Sequence, residues 1–370
     1  MRQHTNELAD ALQGSFSREV TVNVFHGTER VAEGLRFVGW SLDADFGAEI
    51  CYSGSGSIVV DSAAGESWSP DGTRGLLSPF RAKIEIVMTV SAGDFEERVS
   101  LGMMRLVRAP SMRDYTATVN GVEQVVASHA QVVFLSEDET VRRAGFRFPS
   151  TSPSGASVWG EIRRLSRMPV EETVPDTSLS SAVTWEAAQG SRLKAVHELG
   201  KRLGGTVVVN SRGALVIVPD EYGEPVGALK LGQQGTVTEI DADVDTDGVY
   251  NVVVGMFEDD NRNPIFSVAT VDTGDLAPGG LYGENVRYYS SDFVKTQLQA
   301  DRAVRAVLAE SISTQMYDLQ VQCHINPLVE IGDVWAVEGW VRPVEGRVVK
   351  VSMSDSELMN VTLRVKRNLA

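Results

Sequence analysis

An amphipathic helix, from about Ser291 to Ser311, runs into four strand-like segments, Gln315–Cys323, Asp333–Glu338, Arg347–Ser354 and Asn360–Lys366. A short clip, Ile325-Asn326-Pro327-Leu328-Val329-Glu330-Ile331-Gly332, joins the first two. In the helix, Phe293, Ala300, Val304, Val307 and Leu308 gather on one face, with Val294 and Leu298 at its edge. Asp292 suits the helix N-terminus, and Asp301 and Arg305 stand four apart, spaced for a supporting ion pair. No residue among these segments looks catalytic, so the region reads as a structural building block.

The first part of the chain is almost all strand-like. Val20, Val22 and Val24 alternate with Thr21, Asn23 and Phe25, and Ile84, Ile86 and Met88 alternate with Glu85 and Val87. Ile50–Asp61 and Arg98–Arg108 add two further runs. Short strands separated by Gly-rich turns point to an antiparallel sandwich or barrel. Ahead of them, Leu8 and Leu12 share a face of a short helix over Asn6–Leu12.

The middle is mixed. Asn120-Gly121 between Tyr115–Val119 and Val122–Ala127 is a type I′ hairpin signal. Val158, Ile162 and Leu165 mark one helix, and Leu193, Val196, Leu199 and Leu203 a second, stopped by Gly204-Gly205. A Val-rich hairpin, Thr206–Asn210 and Ala214–Val218, completes an α+β module. Further on, Thr236–Val244 and Val249–Met256 read as strands, followed by a polar loop carrying Asn263-Pro264 and a Gly-rich segment, Gly274–Gly283. The expected division is 1–112, a first β domain; 113–227, the α+β domain; and 228–370, a second β domain with a long helix.

Composition removes several classes. A chain of 370 residues with 42% hydrophobic and 23% charged residues has the make-up of a multi-domain globular protein, since single cores seldom exceed ~250–300 residues. No segment approaches the ~18 consecutive apolar residues of a membrane span. The N-terminus lacks the apolar core of an export signal, so synthesis and folding in the cytoplasm are expected. Two cysteines, Cys51 and Cys323, are too few for a disulfide scaffold. The net charge of −16, from 50 acidic against 34 basic residues, opposes any grip on nucleic acid.

Candidate chemistry is thin. In Asp241-Ala242-Asp243-Val244-Asp245-Thr246-Asp247-Gly248, counting from Asp243 places carboxylates and the glycine as a calcium loop requires. The twelfth position is Val254 instead of a bidentate glutamate, so a solvated strand end, or a strand lining an acidic channel, accounts for the pattern better. The five histidines form no close ligand pair, and His197 is expected at the exposed edge of its helix. Cys323 and His324 are adjacent in a strand and face opposite ways. Gly54-Ser55-Gly56-Ser57 does not fit a nucleophile elbow and reads as a strand bulge or turn. Gly200-Lys201 is followed by Arg202, not by the Ser or Thr of a phosphate-binding loop. Glu96-Glu97 and Glu171-Glu172 read as solvated charges, and the six tryptophans as packing residues. No catalytic residue, cofactor or metal is expected.

Several phrases together resemble tail hub proteins of long-tailed bacteriophages. They are Val141–Pro149 with Ser157-Val158-Trp159-Gly160-Glu161-Ile162-Arg163-Arg164-Leu165, and Arg192-Leu193-Lys194-Ala195-Val196-His197-Glu198-Leu199 with Leu203-Gly204-Gly205. Tyr250-Asn251 opening a strand and Asn326–Val334 continue the similarity, which spans about Arg18 to the C-terminus. The resemblance implies two tail-tube-like antiparallel β-barrel domains plus a peripheral α+β domain. It further implies a homotrimer with pseudo-sixfold symmetry at the virion tail tip, a non-enzymatic ring meeting the distal tail protein, the tape-measure protein and tail fibre or tip proteins. DNA would pass through it only in transit, past an acidic lumen to which Asp241, Asp243, Asp245 and Asp247 contribute. The loops Ser62–Leu76 and Gly274–Gly283 are expected contact loops. The alternative is a tail-associated cell-wall hydrolase or a carbohydrate-binding module.

Overall fold

The computed structural model is mostly β, with 51% strand and 14% helix. It describes residues 2, 4–61, 68, 73, 75–179, 181–232, 235–243, 249–259, 262–291, 294–313, 316–339 and 343–366. The chain divides into two compact units, Met1–Ile240 with Val321–Leu363, and Asp241–Gln320 with Arg364–Ala370.

Helix α1 (Asn6–Ala11) is followed by β1 (Ser17–His26), β2 (Glu29–Asp45), β3 (Tyr52–Asp61), β4 (Ala82–Ala92), β5 (Phe95–Val119) and β6 (Val122–Ser136). Strand β1 pairs with β4 on one side and β2 on the other, so the order β1-β4-β5-β6-β3-β2 closes into a six-stranded antiparallel barrel. Alternation decides which side chains point inward: Val22, Val24, Ile84, Ile86, Met88, Leu106, Val132 and Phe134 are all fully buried. Helix α1, capped by the Thr5 hydroxyl accepting from the Leu8 amide at 3.2 Å, buries Leu8 completely. Asn120 and Gly121 take φ of 54° and 82°, as their type I′ turn requires.

The α+β module comprises α2 (Asp138–Arg143), β7 (Ser150–Thr151), α3 (Val158–Ser166), β8 (Thr184–Trp185), α4 (Ser191–Arg202), β9 (Gly205–Val209) and β10 (Leu215–Pro219). It has its own core, built on Trp159, Ile162, Leu165, Val196, Leu199 and Ile217. At its centre the buried Glu161 carboxylate accepts from Arg164 at 2.7 Å and from the Trp185 indole at 2.8 Å. Burial opposes the charged form there, yet those donors prevail and hold the Glu161 pKa below the usual carboxylate range.

The rest comprises β11 (Gly227–Lys230), β12 (Val237–Asp243), β13 (Val252–Glu258), β14 (Pro264–Thr270), β15 (Val286–Tyr289), α5 (Gln297–Ser313), β16 (Met316–His324), β17 (Val334–Glu338), β18 (Val344–Ser354) and β19 (Leu358–Lys366). Strands β11, β17, β18, β19, β16 and β12 follow one another in a second array. The bridge Leu231↔Val237 links its two ends. One edge of β18 pairs with β17 from Val344 to Arg347, then with β2 from Lys350 to Ser354. Strand β2 answers in kind, giving its first half to β1 and Ser41–Asp45 to β18. The changeover in β2 falls at an irregularity where Gly39 adopts φ 57°. The two arrays are thereby one continuous sheet.

In the second unit, β13 pairs antiparallel with β14 and parallel with β15. Helix α5 covers one face, burying Val253, Phe257, Ala300 and Val304. Asp301 accepts from Ser267 at 2.6 Å and Gln297 at 2.9 Å, and these bonds, more than the expected partner Arg305, lower its pKa.

Several expectations shift. The helix begins at Gln297, and Asp292 and Phe293 lie outside the described residues. Strand β14 occupies the stretch after Asn263 that reads as a polar loop, because Pro264 takes the first strand position, where a missing N–H is tolerated. The expected boundary at 112/113 falls inside the unbroken β5. Gly54 and Gly56 make no turn, and Gly56 lies in β3 opposite the irregularity of β2. They sit in β3 beneath aromatic rings, where a Cβ at 54 would meet the Ser41 carbonyl oxygen at 2.2 Å and Phe134 at 2.5 Å. The carbonyl belongs to the β2–β3 ladder and cannot move aside. Gly54→Ala is therefore expected to cost about 1–3 kcal/mol in urea unfolding; an unchanged midpoint would show that the packing is loose.

Candidate assembly surfaces

The acidic stretch after β12 is only partly described. Asp241 is exposed on β12, Asp243 is its last residue, and Asp245 and Asp247 lie outside the described residues. The flanks are strands, β12 and β13, rather than the helices of a calcium hand, and Val254 lies within β13. Among the described residues no group of three His, Cys, Asp or Glu side chains converges as a metal site.

Two exposed apolar features stand out. Among the described residues the β5–β6 hairpin runs past its neighbours: β4 pairs with β5 as far as Arg105, and β3 with β6 from Leu135 to Ala127. Tyr115, at the last β3–β6 pair, and Val119, Val122 and Val126 towards the turn are exposed. The second is the face of the β13–β14–β15 sheet opposite α5. There Met256 lies across from Phe266, and Val254 across from Val268 and Tyr288. Phe266, Val268 and Tyr288 are 60%, 60% and 68% exposed. The Gly274–Gly283 loop belongs to the same unit and is fastened by Asn251, whose amide donates to the Leu276 and Gly283 carbonyls at 2.8 and 2.6 Å. Leu281 at its tip is fully exposed. Most of the Ser62–Leu76 loop lies outside the described residues.

A cleft of about 610 Å³ is lined by Arg2, Tyr52, Asn210, Glu330, Asp333 and Arg347 among others. Its cations hold the scaffold together. Arg2 donates to the carbonyls of Pro327 at 2.5 Å, Val329 at 2.9 Å and Leu101 at 3.1 Å, and pairs with Glu330 at 3.7 Å. Arg347 on β18 donates to the carbonyls of Pro219 at 2.6 Å and Glu221 at 2.8 Å, while its guanidinium lies over the Tyr222 and Phe46 rings. It ties the exit of the α+β module to the sheet. Burial raises the Asp333 pKa and lowers that of Arg347.

The remaining candidates separate. His197 is not at an exposed edge: its Nε2 is shielded, and burial lowers its pKa against the attraction of Asp138. The buried Cys323 has its thiol pushed up to about 12 by burial, whereas His324 on the opposite strand face is exposed. Glu171 and Glu172 are paired with Arg212 and Arg163. Trp40, Trp159, Trp185 and Trp335 are buried packing residues, and Trp340 lies outside the described residues.

No protein-family model matches the sequence, and no curated protein is significantly similar to it. Solved structures do share its fold. A tail protein from Neisseria meningitidis MC58 superposes with a TM-score of 0.54 at 12% identity, over 95% of this chain and 97% of that one. The 43 kDa tail protein of prophage MuSo2 from Shewanella oneidensis gives 0.55 at 10% identity, over 94% and 98%. A chain of the lidless PdpA–VgrG complex gives 0.58 at 7% identity, over 95% of this chain and 65% of that one. The chain has the fold of phage tail proteins, the fold that the resemblance in its sequence implies.

Truncation at position 347 would leave the Pro219 and Glu221 carbonyls without their donor and Tyr222 without its stacking partner. Arg347→Ala is expected to lose about 3 kcal/mol in denaturant unfolding. Arg347→Lys recovers little, since one ammonium cannot stack on two rings while donating to both carbonyls. Full recovery by Lys would show that charge alone matters.

Proposed function

We propose that the chain is a structural hub of a phage tail, working as a homotrimeric ring at the virion tail tip. The observation that carries the reading is the pair of strand arrays fused through β2 and β18 within the fold of phage tail proteins. Two tube-like domains per chain, one built on β1–β6 and one on β11, β12 and β16–β19, give three copies six such domains around one axis. Such a ring adapts a sixfold tail tube and distal tail protein to threefold tip components, with the α+β module from α2 to β10 as its periphery. Tape-measure, fibre and tip proteins are its other neighbours, and DNA passes through without being held.

Charge fits that passage. Three copies carry three times the −16 of one chain, and an acidic lumen repels phosphate rather than binding it. Asp241, Asp243, Asp245 and Asp247 are the proposed lumen residues. Replacing all four by Asn is expected to leave the thermal midpoint in place and slow DNA ejection from assembled particles. Unchanged ejection kinetics would remove them from that role.

The ring itself is tested on purified chain by light scattering and negative-stain imaging. The expected result is the mass of three chains and a central opening. A monomer, or release of sugar or peptide from cell-wall material, would favour a tail-associated hydrolase instead. Tryptophan fluorescence that titrates with glycans would favour a carbohydrate-binding module.

A further inference from the structure

We infer that the cleft between the barrel and the α+β module is a docking site for an acidic peptide segment of a partner protein, held by Arg105, Arg167 and Arg192. The inference goes beyond the ring reading and does not depend on it, since every residue of the cleft belongs to the first compact unit.

The cleft has a volume of about 390 Å³, within the range of ligand sites. Lys83 on β4, Arg105 on β5, Arg167 after α3, Arg192 on α4 and Arg212 in the β9–β10 turn line it. Against these five cations the described lining offers one carboxylate, Glu137. That reverses the balance of the whole chain, whose net charge is −16.

The acids close by are already engaged. Glu137 pairs with Lys83 at 3.0 Å, and Glu171 with Arg212 at 2.6 Å. Glu139 is held by Arg142 and Arg143, Glu161 by Arg164, and Glu172 by Arg163. Glu85, on the same face of β4 as Lys83, accepts from Asn23 at 3.0 Å. Among the described residues, Arg105, Arg167 and Arg192 are left with no carboxylate partner.

Support of the fold accounts for part of one of the three. The Arg192 guanidinium lies 4.7 Å from the centre of the Phe146 ring and donates through Nη1 to the Leu165 carbonyl at 3.2 Å. Its Nε is shielded and meets no acceptor among the described residues. Burial, with the charges of Arg167 and Arg164, lowers the Arg192 pKa, and no carboxylate offsets them. Arg105 is the cross-strand neighbour of Lys83, and like charges set opposite each other weaken a sheet. Arg167 takes φ 57° at the end of α3, a position that glycine usually fills.

The missing counter-charge is therefore supplied from outside the chain. Guanidinium forks grip carboxylates in bidentate pairs, and clustered arginines are a recurring reader of acidic motifs. Met103, Leu165, Met168 and Pro169 line the same cleft with apolar groups. That mixture fits carboxylates carried on a peptide with apolar neighbours. A bare inorganic anion would lose hydration against such walls without return.

The test uses the full-length chain and two fluorescein-labelled peptides, Leu-Glu-Leu-Glu-Leu and its counterpart with Gln for Glu. Fluorescence anisotropy should show saturable binding of the Glu peptide alone, displaced by inorganic phosphate only at far higher concentration. Arg105→Gln with Arg167→Gln should weaken that binding about tenfold. The thermal midpoint of the double variant should hold or rise, because like-charge repulsion is relieved. A lowered midpoint would assign both arginines to the fold and overturn the site. No binding, equal binding of the Gln peptide, or full affinity in the double variant overturns it as well. Phosphate competing as well as the peptide would make this a small-anion site and overturn the acidic segment as its occupant.

Discussion

The shared edge of β2 and β18 is the constraint on which the rest of the larger unit depends. Each strand gives half of one edge to its own array and the other half to its partner's, so Ser41–Asp45 and Lys350–Ser354 form a ladder across some 300 residues of chain. The ladder would leave backbone groups orphaned at the changeover were they not taken up. The Gly39 amide donates to the Asp355 carboxylate, and the Asp355 amide donates to the Trp40 carbonyl at 3.2 Å. Arg18 donates to the carbonyls of Ser354 at 3.3 Å and Asp355 at 2.7 Å, pinning the β18–β19 turn to β1. Lys350 with Asp45 and Ser352 with Asp43 add polar contacts on the seam. Gly39 at φ 57° lets β2 turn from one partner to the next without the penalty that a side chain brings in the left-handed region.

Arginine does the equivalent work elsewhere. Arg2 gathers the Pro327–Val329 clip onto β5, and Arg347 gathers the end of β10 onto β18, in each case by donating to several backbone carbonyls. The planar guanidinium suits this role because it fans its donors over a fixed angle and stacks on aromatic rings at the same time. The α+β module is held in the same manner by Glu161, with the charge reversed. Arg2 and Arg347, which line the 610 Å³ cleft, thus serve to hold the fold together.

Local patterns were readable to the extent that their causes were local. The Asn120-Gly121 turn, the alternation in β1 and β4 and the two module helices depend on neighbours a few residues away, and each lies close to its expected place. The joining of the two arrays does not: nothing in Ser41–Asp45 signals that its partner is Lys350–Ser354. Strand β14 was hidden by Pro264, whose ring suits a loop as well as a strand start. Gly54 and Gly56 read as turn residues because the rings they accommodate, Phe134 and Phe37, come from distant strands. His197 looked exposed from helical spacing alone, and its burial comes from neighbours outside its own helix. The candidate surfaces were less legible than the fold. Ile265, Phe266, Val268 and Ala269 form an apolar run in which only α5 determines which face is covered. The acidic residues could be counted, but their position around an axis is a property of the assembly.

The proposed ring requires the two arrays to be joined so firmly that they act as one platform. Native-state hydrogen exchange with site resolution tests that joint directly. Amides of Ser41–Asp45 and Lys350–Ser354 should exchange only through global unfolding, at the same free energy as the barrel core of β4 and β6. Exchange of the 350–354 amides at markedly lower free energy, while β4 stays protected, would mean that the two arrays merely touch, and the account of a single continuous sheet would fail.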